Sequence, residues 1–339
     1  MNSLEQLPSE PKQESAAPAG SRPQSETPEG GPPPLPPFSS VLKSREVEDP
    51  VNLWLHRPLA YAFVAAVYRT PITPNQVTFL AMALGLTAAG CWIYGTPTSM
   101  VVGGILLWVS AIMDGADGIL ARAKKMSSAF GRALDGLADM VVGFSTSAAG
   151  LAHIVMHDRA YSPGILVILG IVGVVCTVFQ LNLYDAYKEL FLRATRVGGG
   201  GESHSAAEIA QANKVRDNKN LALHARISMD FYEDYLGKQE RFTQRTNPWG
   251  SRLLMARWRV TDETAEVYRR HNRLPMALWI SISLAPHSYL FAIAGMLDML
   301  FPYILLRITL VNGIAALALL LQRRASRSTL EAYEASGAL

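Results

Sequence analysis

Six long apolar segments constrain the fold of this chain more than any other feature of its sequence. They lie near residues 75 to 95, 98 to 121, 128 to 156, 163 to 186, 274 to 297 and 300 to 322. Each is about as long as a membrane-crossing helix, because a helix rises about 1.5 Å per residue and the hydrocarbon is about 30 Å thick. An apolar content of 49% with only 17% charged residues agrees with membrane insertion. The sequence therefore predicts an all-α integral membrane protein with six transmembrane helices.

Two segments before the first span differ in composition. Residues 1–43 hold ten of the twenty prolines and no apolar run, which predicts a disordered, Pro-rich cytosolic tail without a secretory signal. Residues 44–70 mix charges with Leu, Trp, Phe and Val and end against Pro71. This pattern is typical of an N-terminal amphipathic helix lying at the membrane interface. The first four spans are then expected within residues 71–186.

The segment between the fourth and fifth spans, residues 187–273, is too polar to cross a membrane. Its stretch "VGGGGESHSAAEIAQ" at 197–211 predicts a flexible joint, and the residues after it have helical character with many charges. Two interpretations stay open: a solvated cytosolic helical insertion resting on anionic lipid, and a lid or binding element over a functional site. The last two spans follow within 274–322, before a cytosolic C-terminal tail at 323–339.

The distribution of basic residues predicts the orientation. Six spans put both termini on one side of the membrane, and Lys and Arg are enriched in cytoplasmic connections. The short connections at 96–99, 157–162 and 298–299 contain a single basic residue, whereas residues 187–273 contain sixteen. Both termini are therefore expected in the cytosol, at a cytoplasmic or inner membrane. A net charge of +3 gives no reason to expect nucleic-acid binding.

Four aspartates, Asp114, Asp117, Asp135 and Asp139, stand near the cytosolic ends of the second and third spans. Their spacings of three and four residues place each pair on one helical face. Four carboxylates this close would repel one another unless cations were bound between them, and carboxylate oxygens suit Mg²⁺, Mn²⁺ or Ca²⁺. Two such ions could clamp a diphosphate. The sequence therefore predicts a divalent-metal site rather than carboxylates that only pair with neighbouring arginines.

Small residues surround these aspartates and leave room on the facing helix surfaces. They are Gly115, Gly118, Ala121, Gly131 and Gly136. Their missing side chains predict a slot for a flat or bulky group, although small residues also allow helices to pack closely.

The order of the residues in this region resembles a family signature. It matches D-x2-D-G-x2-A-R-x8-G-x3-D-x3-D, the pattern of the CDP-alcohol phosphotransferases, at every fixed position. These positions are Asp114, Asp117, Gly118, Ala121, Arg122, Gly131, Asp135 and Asp139. The resemblance covers the six-helix core and neither the Pro-rich tail nor the insertion. "TPNQVT" at 73–78 also resembles the family's entry to its first helix, where Asn75 would approach the nucleotide; a helix cap is the alternative.

The resemblance implies a membrane enzyme of phospholipid synthesis. Such an enzyme moves a phosphate-bearing group from a cytidine diphosphate-linked donor to an alcohol and releases CMP. It implies that the four aspartates hold two divalent cations, Mg²⁺ or Mn²⁺, and that Asp139 is also the general base for the acceptor hydroxyl. It further implies that Gly118, Ala121 and Gly131 make room for the nucleotide, with Arg122 contacting a carboxylate or phosphate. A homodimer is expected because the family usually forms one.

The residue after the last aspartate bears on the acceptor alcohol. Family members that use phosphorylated acceptors commonly have Lys or Arg after the last aspartate, whereas Met140 follows here. "LDGLADMVVGF" is similar to a stretch of bacterial phosphatidylserine synthases, which favours serine with CDP-diacylglycerol; inositol and choline stay open. Asn182, Asp185 and Lys188, at the cytosolic end of the fourth span, could line the acceptor pocket or could be interfacial.

Two other functions stay open. A CDP-choline or CDP-ethanolamine donor with diacylglycerol as the acceptor would use the same motif. A divalent-cation transporter would also carry acids in its spans, but it should spread them across the membrane midplane, often with inverted repeats. Elsewhere, Arg307 is expected to snorkel or to pair with Asp298 near the outer end of the last span, and Pro286-His287-Ser288 predicts a kink in the fifth.

Overall fold

Helices account for every regular element in the part of the chain that the structure describes. The structure is a computed structural model, and it describes residues 34–41, 46–158, 160–197, 241, 243–255 and 260–339. Most of the predicted Pro-rich tail, and all of the predicted flexible joint after residue 197, lie outside these residues.

The helices are numbered here in chain order. They are α1 (Phe38–Val41), α2 (Arg57–Val67), α3 (Pro74–Tyr94), α4 (Pro97–Ala123), α5 (Ala129–His157), α6 (Pro163–Thr195), α7 (Pro248–Met255), α8 (Asp262–Ser281), α9 (Leu284–Met296), α10 (Leu300–Leu306) and α11 (Asn312–Ala335). A π-helical turn at Asn52–His56 leads into α2, and another at Arg307–Val311 joins α10 to α11.

Six helical stretches of the described chain are long and apolar enough to cross a membrane. They are Pro74–Tyr94, Pro97–Ala123, Phe130–His157, Pro163–Thr195, Asp262–Met296 and Leu300–Ala335. Large apolar side chains remain exposed along them, such as Ile168 and Val175 of α6 at 62% and 61%. Contiguous exposed apolar surface of this kind is what lipid covers. The prediction of an all-α, multi-pass integral membrane protein with six spans is confirmed.

Local sequence sets the ends of the helices around the motif. Thr73 and Gln76 form a reciprocal capping box at the start of α3, whose first residue is Pro74. The hydroxyl of Ser128 accepts a hydrogen bond from the Gly131 amide at the start of α5. These capping residues fix where α3 and α5 begin.

Close packing brings α3, α4 and α5 together. A Cβ on Gly85 of α3 would lie 2.5 Å from a methyl carbon of Val142 in α5, so only glycine permits this approach. The Ser110 hydroxyl of α4 donates to the Ala81 carbonyl of α3 at 2.7 Å. Contacts of both kinds, small residues and interhelical hydrogen bonds, stabilise helix association in membranes. They place the two helices that carry the aspartates against the same partner.

The spans that flank the predicted insertion are longer than their apolar parts. Helix α6 continues past residue 186 to its end at Thr195, and α8 begins at Asp262, before the predicted start of the fifth span. The added turns pack through buried aromatic rings, with Tyr187 stacked on Trp279 at 5.2 Å and Phe191 meeting Tyr268 at 5.7 Å. Tyr187, Phe191 and Tyr268 lie beyond the apolar stretches, so hydropathy alone did not indicate this packing.

Two predictions about the last spans were not met as stated. Arg307 is 4% exposed and its Nε donates to the Thr177 hydroxyl at 3.1 Å, while Asp298 contacts His153. The expectation that Arg307 snorkels or pairs with Asp298 was therefore wrong, because a polar partner on α6 was not visible in the sequence. The chain also breaks between α8 and α9, at residues 282 and 283, before Pro286 rather than at it.

Candidate active site

Three of the four predicted aspartates meet between α4 and α5. Carboxylate oxygens of Asp114, Asp135 and Asp139 all lie within 4.8 Å of one another. Asp114 and Asp135 are partly buried, whereas Asp139 is exposed. Ionised carboxylates at such separations repel one another, so the arrangement favours a bound cation or a shared proton.

The fourth aspartate is held separately. Asp117 is 5% exposed and accepts a hydrogen bond from the hydroxyl of Thr78, which is itself buried in α3. Its carboxylate remains close enough to Asp135 to interact with it electrostatically. Sequence reasoning missed Thr78, since its place one turn after Pro74 gives no indication of a partner in α4.

The residues predicted to make room for the nucleotide lie along the same helices. A Cβ on Gly118 would lie 3.4 Å from Nη1 of Arg122, so this glycine faces the guanidinium. A Cβ on Gly131 would lie 3.2 Å from the Ser128 hydroxyl and 3.6 Å from Oδ1 of Asn75. The structure thus brings Asn75 of α3 beside Gly131 of α5.

Asn75 is not the residue that caps α3; other residues of "TPNQVT" do so. Thr73 and Gln76 make the capping box, so the helix start does not need the Asn75 side chain. Gly136 has no atom within 4 Å of its Cβ position, so close helix packing does not explain this glycine either. Space therefore opens next to Asp135.

The turn between α4 and α5 has a defined conformation. The Met126 amide donates to the Ala121 carbonyl at 2.8 Å, and Lys125 has φ of +56°, the left-handed conformation that ends a helix in a Schellman motif. Lys124 donates through Nζ to the Thr70 carbonyl at 2.8 Å. Ala121 therefore contributes its backbone to the connection that holds the two aspartate-bearing helices adjacent.

An ion pair between Glu48, which precedes α2, and Arg57, the first residue of α2, contacts the motif. Arg57 donates from Nε and Nη2 to both carboxylate oxygens of Glu48, at 3.1 and 3.2 Å, and from Nη1 to the Gly115 carbonyl at 3.4 Å. Asn52 adds a bond to Glu48 at 3.1 Å. The two charged side chains are 16% and 8% exposed. Sequence reasoning attributed these charges to an interfacial helix and missed their contact with α4.

The three residues considered for the acceptor lie on α6. Lys188 Nζ pairs with Asp185 Oδ1 at 2.8 Å, and Asp185 is close enough to Asp139 to interact with it electrostatically. The Asn182 amide donates to the Val178 carbonyl of its own helix at 2.7 Å. The Asp185–Lys188 ion pair therefore lies near Asp139.

Comparison with known proteins agrees with the motif. Residues 71–208 match the model of the CDP-alcohol phosphatidyltransferase family. The chain is 35% identical over 123 residues to the "Bifunctional IPC transferase and DIPP synthase" of Thermococcus kodakarensis, covering 35% of this chain and 27% of that protein. The protein of the same name from Aquifex aeolicus is 39% identical over 82 residues, 24% of this chain and 18% of its own length.

A relative of another kind matches a similar length. The "CDP-diacylglycerol--serine O-phosphatidyltransferase" of Mycobacterium tuberculosis is 31% identical over 118 residues, 35% of this chain and 39% of that protein. The chain thus spans no more than 39% of the length of any of these three relatives. The part of the chain that is similar to the CDP-alcohol phosphatidyltransferase family, residues 71–208, holds the complete aspartate signature.

Proposed function

We propose that this protein transfers a phosphatidyl group from CDP-diacylglycerol to the hydroxyl of a small, unphosphorylated polar alcohol and releases CMP. The observation that carries the proposal is the meeting of the Asp114, Asp135 and Asp139 carboxylates within 4.8 Å, beside the open space at Gly136. The match of residues 71–208 to the CDP-alcohol phosphatidyltransferase model supports the class of reaction.

The donor set suits hard divalent cations. Oxygen-only ligation by carboxylates is what Mg²⁺ and Mn²⁺ prefer, and Asp114, Asp117, Asp135 and Asp139 would hold two such ions. When bound, they would neutralise the negative charge of the diphosphate and of the leaving CMP. The hydrogen bond from Thr78 orients Asp117 for this role.

Asp139 is assigned as the general base. It is the exposed member of the cluster, so an acceptor hydroxyl can reach it from outside the helix pair. Its carboxylate takes the hydroxyl proton as the acceptor oxygen forms a bond to the phosphorus that bears diacylglycerol. The bond between that phosphorus and the bridging oxygen breaks, and the oxygen leaves with CMP. A positioned base within reach of the nucleophile is the geometry that general-base catalysis needs.

The nucleotide is assigned to the glycine-lined side of the same helices. Gly118, Ala121 and Gly131 leave room for the cytidine and its phosphates, Asn75 contacts the nucleotide beside Gly131, and Arg122 binds a phosphate. A guanidinium suits a phosphate because its donors match two oxygens at once.

Serine is the favoured acceptor. Met140 after the last aspartate leaves no cation there for an acceptor phosphate, and one of the matched relatives is named for a serine reaction. Asp185 and Lys188 offer one negative and one positive group beside Asp139, which suits a zwitterionic amino acid. Asn182 is assigned to the rim of the same pocket. Inositol and choline are the competing acceptors.

The positive-inside distribution supports cytosolic termini and a cytosolic active site. A lipid donor can then enter sideways from the leaflet while a water-soluble acceptor arrives from the cytosol. We also propose a homodimer, to be checked by mass measurement in lipid nanodiscs.

A CMP-release assay tests the reaction. The purified chain would be supplied with CDP-diacylglycerol and one acceptor in each reaction: serine, inositol, inositol phosphate, glycerol phosphate or choline. A further reaction would contain CDP-choline and diacylglycerol. We expect release with CDP-diacylglycerol and serine. CMP release only with CDP-choline and diacylglycerol would show that the lipid is the acceptor and not the donor. Metal transport without CMP release from any pair would support a divalent-cation transporter instead.

The Asp139→Asn variant tests the base. We expect loss of transfer with retained folding, because the amide cannot accept the proton. Asp158→Asn, a change at the opposite end of α5, is the matched control and should leave turnover unchanged. Normal turnover by Asp139→Asn would remove the general-base assignment. Full activity in excess chelator would remove the metal assignment.

A further inference from the structure

Two glycines of the motif lie on a face of α4 that is covered by two guanidiniums. The Cβ position of Gly115 lies 3.6 Å from Nη1 of Arg57, and that of Gly118 lies 3.4 Å from Nη1 of Arg122. Residues three apart in a helix have Cβ positions about 5–6 Å apart. The two guanidiniums therefore lie over neighbouring points of one helix face. Arg122 belongs to the motif, whereas Arg57 lies outside residues 71–208, which match the family model.

The two guanidiniums carry like charges at close range. They lie near enough to interact electrostatically, and Glu48 lies near both of them. Asp117 and Asp135 also lie near Arg122, but they are assigned to the metal ions. Two positive charges over one small patch repel each other, and an anion that contacts both relieves the repulsion. The pair Arg57 and Arg122 therefore favours a ligand with several negative oxygens, such as a diphosphate.

Arg57 has donors left after its bonds within the chain are counted. A guanidinium has five N–H groups. Nε and Nη2 donate to Glu48 and Nη1 donates to the Gly115 carbonyl, which leaves two N–H groups without a partner among the residues that the structure describes. The Arg57 side chain is 16% exposed, so part of it remains open to a ligand.

The chain before α2 holds Arg57 in this orientation. The Asn52 side chain donates to Oε2 of Glu48 at 3.1 Å, which fixes the carboxylate that contacts Arg57. The preceding residue, Val47, is 2% exposed, and its carbonyl accepts a hydrogen bond from the Tyr184 hydroxyl of α6 at 2.9 Å. A side chain that is held in place before binding loses less freedom when a ligand arrives. Arg57 is therefore preorganised.

The order of the two guanidiniums along α4 indicates which phosphate each contacts. In the orientation proposed above, α4 runs toward the cytosol, so Gly115 lies about 4.5 Å deeper in the membrane than Gly118. Arg57 therefore lies on the membrane side of Arg122. In CDP-diacylglycerol, one phosphate bears the diacylglycerol that extends into the membrane, and the other bears the cytidine.

We propose that Arg57 binds the phosphate that bears diacylglycerol, while Arg122 binds the phosphate that leaves with CMP. This assignment rests on the function proposed above and adds a residue of α2 that recognises the lipid half of the donor. Glu48 is a positioning residue, because it acts through Arg57. A guanidinium suits the task, since its planar N–H groups match two phosphate oxygens at once.

Separate binding of the two halves of the donor tests this assignment without turnover. The full chain in phosphatidylcholine nanodiscs, with excess Mg²⁺, would be titrated calorimetrically with dihexanoyl phosphatidic acid and, in another experiment, with CMP. We expect Arg57→Gln to bind phosphatidic acid about 10- to 100-fold more weakly and CMP as the wild type does. Arg122→Gln should show the opposite pattern.

The two probes also separate recognition from folding. Unchanged phosphatidic acid affinity in Arg57→Gln would overturn the assignment, and so would an equal fall in both affinities, because that result would mean that Arg57 only supports the fold. A wild type that binds neither probe and releases no CMP would contradict the proposed function itself. A wild type that binds both probes confines any failure to Arg57.

Two further variants sharpen the comparison. Glu48→Gln keeps the guanidinium but weakens its hold, so the affinity for phosphatidic acid should fall by less than in Arg57→Gln, with CMP binding unchanged. Arg269→Gln is the matched control, since Arg269 pairs with Glu46 at 2.9 Å at the other end of the same stretch. It should bind both probes as the wild type does. A loss of phosphatidic acid binding in Arg269→Gln as large as in Arg57→Gln would overturn the assignment.

Discussion

Thr78 of α3 donates a hydrogen bond to the carboxylate of Asp117 of α4. Both side chains are buried, so water does not replace this bond if the hydroxyl is removed. Helix α3 therefore takes part in the aspartate site without contributing a carboxylate. Its contribution is to fix the one aspartate that stands apart from the other three.

Thr78→Val tests this contribution. The change keeps the shape of the side chain and removes the donor, so Asp117 loses its orienting bond. We expect CMP release to fall, and the Mn²⁺ concentration for half-maximal activity to rise, by about 10- to 100-fold, as for other outer partners of metal ligands. Thr87→Val is the matched control, because the Thr87 hydroxyl donates to the Ala83 carbonyl of its own helix. Equal metal dependence in both variants would count against the role of Thr78.

The Glu48–Arg57 pair is expected to couple the chain before α2 to the motif. A double-mutant cycle with Glu48→Gln and Arg57→Gln, followed by denaturant titration in detergent, should give a coupling energy of about 1–3 kcal/mol, because the pair is bidentate and largely buried. The exposed pair Arg327–Glu331, 64% and 59% exposed, should give only about 0.3–0.5 kcal/mol. Similar coupling energies for the two pairs would show that burial does not strengthen the Glu48–Arg57 pair.

Sequence reasoning succeeded where the signal is local. The six spans follow from runs of apolar residues, and the grouping of Asp114, Asp135 and Asp139 follows from spacings of three and four residues on adjacent helices. It failed where partners are distant in the chain. The bond from Thr78 spans 39 residues and that between His153 and Asp298 spans 145, and no periodicity relates such positions.

The ends of the spans show the same limit. Hydropathy ended the fourth span near residue 186, but buried aromatic packing between α6 and α8 extends the helix. Tertiary packing provides most of the stability of a helix in a protein, so a polar stretch with a buried aromatic face remains helical.

His56 makes stability sensitive to acid. Burial lowers its pKa from 6.5, as does Arg57, while Asp49 acts in the opposite direction; Trp108 donates to its Nε2 at 2.6 Å. Because the folded pKa is below the unfolded one, the contribution of neutral His56 is present above pH 6.5 and is lost as the pH falls below that value.

We therefore expect the unfolding temperature to drop between pH 7.5 and 5.5 by less in His56→Gln than in the wild type. His271→Gln is the control and should behave as the wild type does. An identical drop of the unfolding temperature in all three proteins would show that a group other than His56 causes the loss of stability.

Gly131 provides the sharpest test of the nucleotide side of the site. In Gly131→Ala the new Cβ lies 3.2 Å from the Ser128 hydroxyl, which must shift by a few tenths of an ångström, and 3.6 Å from Oδ1 of Asn75, where it fills the space beside that side chain. We expect the KM for CDP-diacylglycerol to rise by about tenfold, since small displacements of binding groups have large effects. Gly143→Ala, in the same helix, meets no atom within 4 Å and should leave the KM unchanged. Because alanine favours a helix over glycine by about 1 kcal/mol, neither variant should lose stability through helix propensity. A raised KM in Gly131→Ala without loss of thermal stability therefore reports crowding at the site, and equal KM values in the two variants would exclude it.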